Sequence, residues 1–374
     1  MRNLNGRDTL IRVALWMPRI GRVSGGHKVQ LEETAKALWP YDVETRIVWD
    51  SEIELGGVDL VHGFGLNPAE VHSCRSSGLP VVISPIYWDI RRGPDGWFRA
   101  KSARSVLGSF RLSARFLAAA LRSRTRVTEA CLAFIPIERE MLAAYEAADL
   151  LLPNSEGEAE SIRHDLGIAT PMSVVPNGVD PGQFKQAGEP FAKRDFVLSV
   201  GRIDPHKNQL GLIRALKGSG RTLVIVGSDH PDHPAYAQAC RAAGSGWVEF
   251  LDEMPHSELR NVFARARVHA LPSWFETTGL VSLEAALSGC SVVTTERGHA
   301  HEYLGDYALY CDPADARSIR RAVDIAWKQP PVPEFRAHVE AHFTWDHAAQ
   351  ATRTAYLTVL NRGVGPVVAQ ADGV

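Results

Sequence analysis

At 374 residues the chain is too long for one ordinary hydrophobic core, so two domains are expected. Its 45% hydrophobic and 22% charged content is that of a globular protein, and a formal net charge of -2 argues against a general nucleic-acid-binding role. Five scattered cysteines without a C-x-x-C pair fit free thiols in a reducing compartment, not a disulfide scaffold.

Residues 1–10 are polar and lack the apolar core of a secretory signal. No apolar run reaches 18 residues, so no membrane-spanning helix is predicted and a cytoplasmic location is expected. Short apolar runs then alternate with helical patterns. Residues 11–15, 44–48, 60–62, 81–84, 150–153 and 173–175 read as strands in the first half. Residues 196–200, 222–226, 248–251, 268–271 and 291–294 read as strands in the second. Most lack period-2 alternation, which suits parallel strands buried on both faces, with helices completing βαβ units. Turn-forming clusters between 178 and 195 mark a boundary. The expected α/β organisation is an acceptor-side Rossmann-like domain at 1–185 and a second Rossmann-like domain at 186–340. A C-terminal helix and tail follow at 341–374, with helical pattern over 335–360. Ligands of open α/β sheets bind beyond the carboxyl ends of the strands, so a cleft between the domains should face those ends.

Three segments carry chemistry. Ser24-Gly25-Gly26-His27 follows the first strand and opens a helix; glycine lets backbone amides approach a phosphate or sugar, though such loops often need glycine for the turn alone. Arg202 and Lys207 bracket a strand-to-helix turn after Gly201, where a fork of donors and a compact cation could meet phosphate oxygens. Taken alone, that turn reads rather as a solvated loop with two surface cations. Glu276-Thr277-Thr278-Gly279-Leu280-Val281-Ser282-Leu283-Glu284 changes the weighting. Thr278, Gly279 and Leu280 fall where a helix begins, and free N–H groups there favour a diphosphate. Glu284 lies on the flank of the Leu280, Leu283, Leu287 stripe, where a carboxylate needs a donor such as a ribose hydroxyl or a neighbouring Arg.

The order and spacing of these motifs resemble the large family-4 group of retaining glycosyltransferases of the GT-B fold. The resemblance rests on Gly25-Gly26, on Val175-Pro176-Asn177-Gly178-Val179-Asp180, on Gly201-Arg202 with Lys207, and on the E-x7-E spacing of Glu276 and Glu284. It is strongest over residues 148–323. It implies transfer of a sugar from a nucleotide-diphosphate sugar to a hydroxyl of a glycan or lipid-linked saccharide, as in cell-surface polysaccharide synthesis. By resemblance Arg202, Lys207 and Glu276 are the catalytic set: the two cations hold the diphosphate and Glu276 contacts the sugar. The Gly279 and Leu280 amides face the phosphates, Glu284 the ribose, and no metal or other cofactor is required. One departure stands out. Many members carry a His after a first-domain strand near the anomeric carbon; here the matching segment ends Tyr87-Trp88-Asp89 with no His. Tyr87, Trp88 and Asp89, with His62 at a neighbouring strand end, are candidates for an acceptor or sugar pocket.

Residues 99–126 hold eight Lys or Arg and no acid; Arg104, Arg111, Arg115 and Arg122 fall near one helical line. This pattern fits either an anionic membrane surface or a core-facing helix with a solvated cationic side. Two other functions remain open from the residues: a sugar-nucleotide epimerase of the same fold, and a non-catalytic sugar-nucleotide binder.

Overall fold

The computed structural model describes residues 10–18, 26–49, 54–85, 87, 136–184 and 190–362. The first sheet contains β1 (Ile11–Trp16), β2 (Val43–Val48), β3 (Leu60–Phe64), β4 (Val81–Ser84) and β5 (Leu150–Leu151). They are all parallel, in the order β2-β1-β3-β4-β5. The associated helices are α1 (Gly26–Leu38), α2 (Pro68–Ser76), α3 (Pro136–Ala147) and α4 (Glu156–Leu166). Every residue of β3 and β4 is buried, the consequence of helices covering both faces of a parallel sheet.

The strand expected at 173–175 does not form. The Ser173 and Val175 amides donate to Leu151 and Pro153, and a single bridge pairs Leu151 with Met172. Pro171 and Pro176 bracket the segment and lack the N–H groups a longer ladder needs.

The second sheet contains β6 (Phe196–Val200), β7 (Thr222–Val226), β8 (Val248–Leu251), β9 (Ala266–Leu271), β10 (Ser291–Thr295) and β11 (Leu309–Cys311). Its order is β11-β10-β9-β6-β7-β8, again all parallel. The three-residue edge strand β11 was not foreseen. Its helices are α5 (Gln209–Leu216), α6 (Pro234–Gly244), α7 (His256–Arg265), α8 (Leu280–Leu287), α9 (Ala300–Leu304) and α10 (Ala316–Lys328).

The final helical stretch is two helices, α11 (Pro333–His342) and α12 (Trp345–Arg362), broken at residues 343–344. Here α12 leaves the second domain: Ala348, Ala349, Ala355, Tyr356 and Val359 pack with Leu31 and Leu38 of α1. The break lies against the earlier crossing between domains. The Val179 amide donates to the Phe343 carbonyl at 2.9 Å, and a Cβ on Gly178 would sit 2.3 Å from the Trp345 backbone nitrogen. Glycine at 178 is thus what lets the two interdomain strands of chain touch.

Candidate active site

In the second sheet β6 has β7 on one side and β9 on the other, so the chain leaves it in opposite directions at a topological switch point. The loops after β6 and β9 therefore meet at the carboxyl ends of the strands. The Trp274 amide donates to the His206 carbonyl at 2.9 Å, and the Asn208 amide nitrogen donates to Pro272 at 3.1 Å and Pro313 at 2.9 Å.

Within the first loop, a 3-10 turn over Pro205–Lys207 is capped by Asp204, whose carboxylate accepts from the His206 amide at 2.8 Å. The same side chain accepts from Arg202 Nη2 at 3.2 Å and faces His230 Nε2 at 3.6 Å. Burial pushes the Asp204 carboxyl up, but the His206 amide, Arg202 and His230 outweigh it and hold it below its ordinary range. Arg202 is thereby aimed and Lys207 projected from the end of the turn.

Lys207 and Glu276 meet directly: Nζ lies 2.6 Å from Oε1, and the Ser273 hydroxyl donates to the same oxygen at 2.5 Å. Burial raises the Glu276 pKa, while Lys207, His206 and Ser273 lower it further than burial raises it, so the group is ionised at neutral pH. Its backbone is clamped by the loop after β10. The Glu276 amide donates to Arg297 at 3.1 Å and its carbonyl accepts from the His299 amide at 2.7 Å. Between those residues Gly298 has φ of +105°, and a Cβ there would lie 2.2 Å from the Glu276 carbonyl oxygen.

Gly279 takes the left-handed conformation, with φ of +70°, at the position before α8. The first amides of α8 have no partner within the helix itself, as at any helix N-terminus. Thr278 is buried and accepts from the Asn177 amide at 3.1 Å, which fastens the site to the interdomain connection. Glu284 is 6% exposed, its Oε1 is 3.7 Å from His256 Nε2, and its Oε2 has no hydrogen-bond partner among the described residues. Burial pushes this carboxyl up to about 8. A buried polar atom without a partner is costly, and here it is one turn inside α8.

The structure thus brings Lys207 and Glu276 together and sets Arg202, Gly279, Leu280 and Glu284 on the adjoining loops and helix. Residues 182–341 match the family model described as Glycosyl transferases group 1. Over that part the chain is similar to group 1 glycosyltransferases. The glycogen synthase of Mycobacterium tuberculosis is 30% identical over 204 residues, 50% of this chain and 48% of that protein. The chain spans about half the length of the curated relatives it matches. Sucrose-phosphate synthase of Thermosynechococcus elongatus superposes with a TM-score of 0.70 at 17% identity, covering 94% of this chain and 100% of the other. Anabaena HepE in complex with UDP and glucose gives 0.65 at 16% identity over 92% and 99%. The two facing Rossmann-like domains are the GT-B fold.

Around this site the first domain departs from expectation. His62 is buried in β3, with Nδ1 2.7 Å from the Tyr356 hydroxyl and Nε2 2.9 Å from Ser84 Oγ. Both ring nitrogens are used and burial lowers its pKa to about 3, so His62 holds β4 and α12 to β3 and is withdrawn as a sugar contact. Tyr87 is also turned inward: its hydroxyl donates to Asp165 on α4 at 3.1 Å and its ring packs with Tyr145 and Ile162. Its amide and that of Asn154 both donate to the buried carboxylate of Glu158. Gly25, Trp88, Asp89 and the basic segment 99–126 lie outside the described residues.

Several residues escaped sequence reading. Tyr303 of α9 donates to the Asn154 carbonyl at 2.6 Å and accepts from the Asn177 amide at 3.0 Å, joining both domains and their connection. Glu302 accepts from the Glu156 and Gly157 amides at 2.9 and 2.8 Å, capping α4 from across the domain boundary. His27, next to Gly26, keeps contact with solvent, yet its surroundings and then the Arg202 charge lower its pKa to about 4. That coupling puts α1's first turn opposite Arg202. Only Ser273, three residues before Glu276, had a local signal; the others are contacts between distant segments.

Proposed function

We propose that the protein is a retaining glycosyltransferase that moves a sugar from a nucleotide-diphosphate sugar to a hydroxyl of a glycan or lipid-linked saccharide. The observation that carries this reading is the unpartnered, buried Oε2 of Glu284, one turn beyond the Gly279 turn that follows Glu276 of the Lys207–Glu276 pair. A nucleoside diphosphate would offer hydroxyl donors to Glu284, and phosphate oxygens to the cations Arg202 and Lys207 and to the α8 amides. A sugar nucleotide is also the ligand named for a similar structure, HepE in complex with UDP-glucose.

In the proposed reaction the acceptor oxygen attacks the anomeric carbon from the face the diphosphate leaves. The carbon–oxygen bond to the diphosphate breaks, and the acceptor proton passes to the departing phosphate oxygen. Arg202 and Lys207 offset the charge growing on that phosphate, a pre-positioned electrostatic contribution. Glu276, kept ionised, orients Lys207 and faces the sugar side. No metal enters this scheme, so a chelator should leave turnover unchanged.

Thermal shift with a panel of sugar nucleotides tests the donor class, because a ligand of the folded state raises the midpoint by mass action. A panel without any shift would sink the proposal. Slow hydrolysis of the stabilising donor without acceptor would separate an enzyme from a binder, and retention of anomeric configuration in the product would separate transfer from epimerisation. Among the described residues no helix is long and apolar enough to cross a membrane. Segment 99–126 is proposed to meet anionic lipid; equal flotation with neutral and anionic liposomes would end that idea.

A further inference from the structure

A second charged site lies between two helices of the second domain. Helices α5 and α10 frame a pocket of about 490 Å³ lined by Arg214, Arg317, Arg320, Arg321, Lys328 and Asp324. On α10 the charged positions 317, 320, 321, 324 and 328 fall within a sector of about 100° at 100° per residue, opposite the buried Ile319, Ala322, Val323 and Ala326. Asp324 is already neutralised twice: it pairs with Arg221 and with Arg320 Nε at 3.1 Å. That leaves Arg214, Arg317, Arg321 and Lys328, all exposed and without an ion-pair partner among the described residues. Arg317 and Arg321 are an i,i+4 pair of like charge, which destabilises a helix unless an anion lies between them.

We propose that this pocket is a binding site for a phosphorylated anion, separate from the donor site. Its concave shape and aliphatic floor, with Ala215 and Ile325, suit a discrete phosphoryl group bearing a small organic remainder, whether free in solution or on a lipid headgroup. Arginine forks converging from two helices match phosphate oxygens better than they match a monovalent halide. None of Arg202, Lys207, Glu276 or Glu284 lines the pocket, so occupancy there does not compete with the nucleotide.

Inorganic pyrophosphate titrated into the full chain, with the nucleotide site disabled by Arg202→Ala and Lys207→Ala, reads the second site alone. Binding is expected, weakening steeply with salt, and roughly tenfold or more weaker when Arg317→Gln and Arg321→Gln are added. Circular dichroism checks that the added glutamines leave the fold intact, and Arg214→Gln on its own, from the other helix, should weaken binding in the same direction. The second arm uses vesicles of phosphatidylcholine with and without phosphatidic acid. Sedimentation with phosphatidic acid that is lost in the Arg317→Gln, Arg321→Gln protein assigns the anion to lipid; pyrophosphate binding without sedimentation assigns it to a free phosphate. Absence of both, or binding that the glutamines do not change, overturns the proposal.

Discussion

The two domains share one architecture but use their buried polar groups differently. At the carboxyl ends of the second sheet, Arg202, Lys207, Glu276 and Glu284 are held at the surface of a cleft by partners behind them: Asp204, Ser273, Gly298 and the β10 loop. At the matching ends of the first sheet, His62, Tyr87 and Glu158 have turned inward and bind one another's loops. Buried polar groups are thus proposed to meet the ligand in one domain and serve cohesion in the other. What separates the cases is whether the polar atoms are already satisfied: both His62 nitrogens are, and Glu284 Oε2 is not.

The contrast can be broken by mutation. The largest effect is expected at the donor side. Arg202→Ala and Glu276→Gln should each lower kcat by about 10²–10³-fold, the usual consequence of removing one pre-positioned charge. The midpoint of Arg202→Ala should hardly move, because the Arg202–Asp204 pair lies at a partly exposed site. Steady-state kinetics beside a melting curve would show it, and unchanged turnover would remove Arg202 from the mechanism. Next comes Gly298→Ala, which forces a Cβ against the Glu276 carbonyl at a positive φ. We expect a loss of about 1–3 kcal/mol in urea unfolding, with activity falling alongside.

On the first-domain side, His62→Phe should cost about 1–3 kcal/mol, since it leaves the Tyr356 and Ser84 hydroxyls buried without their partner. Turnover per folded molecule should persist; a collapse of kcat with stability intact would return His62 to the site. Tyr303→Phe tests the junction between the two regions. Losing its hydroxyl leaves the Asn154 carbonyl and Asn177 amide unpaired, about 1–2 kcal/mol, with a rise in KM as the domains lose their fixed spacing.

The smallest effect is a pH dependence. With its pKa raised to about 8, Glu284 is protonated at neutral pH in the empty site. Because the folded value is the higher one, its contribution to stability is present at low pH and is lost as pH rises from the unfolded carboxylate range toward about 8. Hydroxyl donors from a bound nucleotide favour the carboxylate, so binding should release a proton and affinity should rise with pH up to about 8. Calorimetry in buffers of different ionisation enthalpy would detect the proton, and Glu284→Gln should abolish it.

The legibility of the chain follows the same division. Short runs without period-2 alternation announced β3, β4, β6 and β10, because parallel strands buried on both faces need no polar alternation. The helix break at residues 343–344 was missed although Thr344 caps α12, its hydroxyl accepting from the His347 amide at 3.3 Å; the Val179–Phe343 contact beside it is not local. The edge strand β11 was missed because three residues carry too little pattern to distinguish a strand from a turn.

By itself the sequence determined the donor half. Its cations, glycine turn and two carboxylates lie on short loops and one helix start whose spacing is set within one sheet, so local order in the chain becomes order in space. Tertiary structure alone decided which polar groups were left over for ligand. It closed His62 onto Tyr356, tied Tyr303 to Asn154, paired Lys207 with Glu276 and left Glu284 waiting for donors. The reason is physical: whether a buried polar atom is satisfied depends on partners tens to hundreds of residues away, and no local pattern encodes that distance.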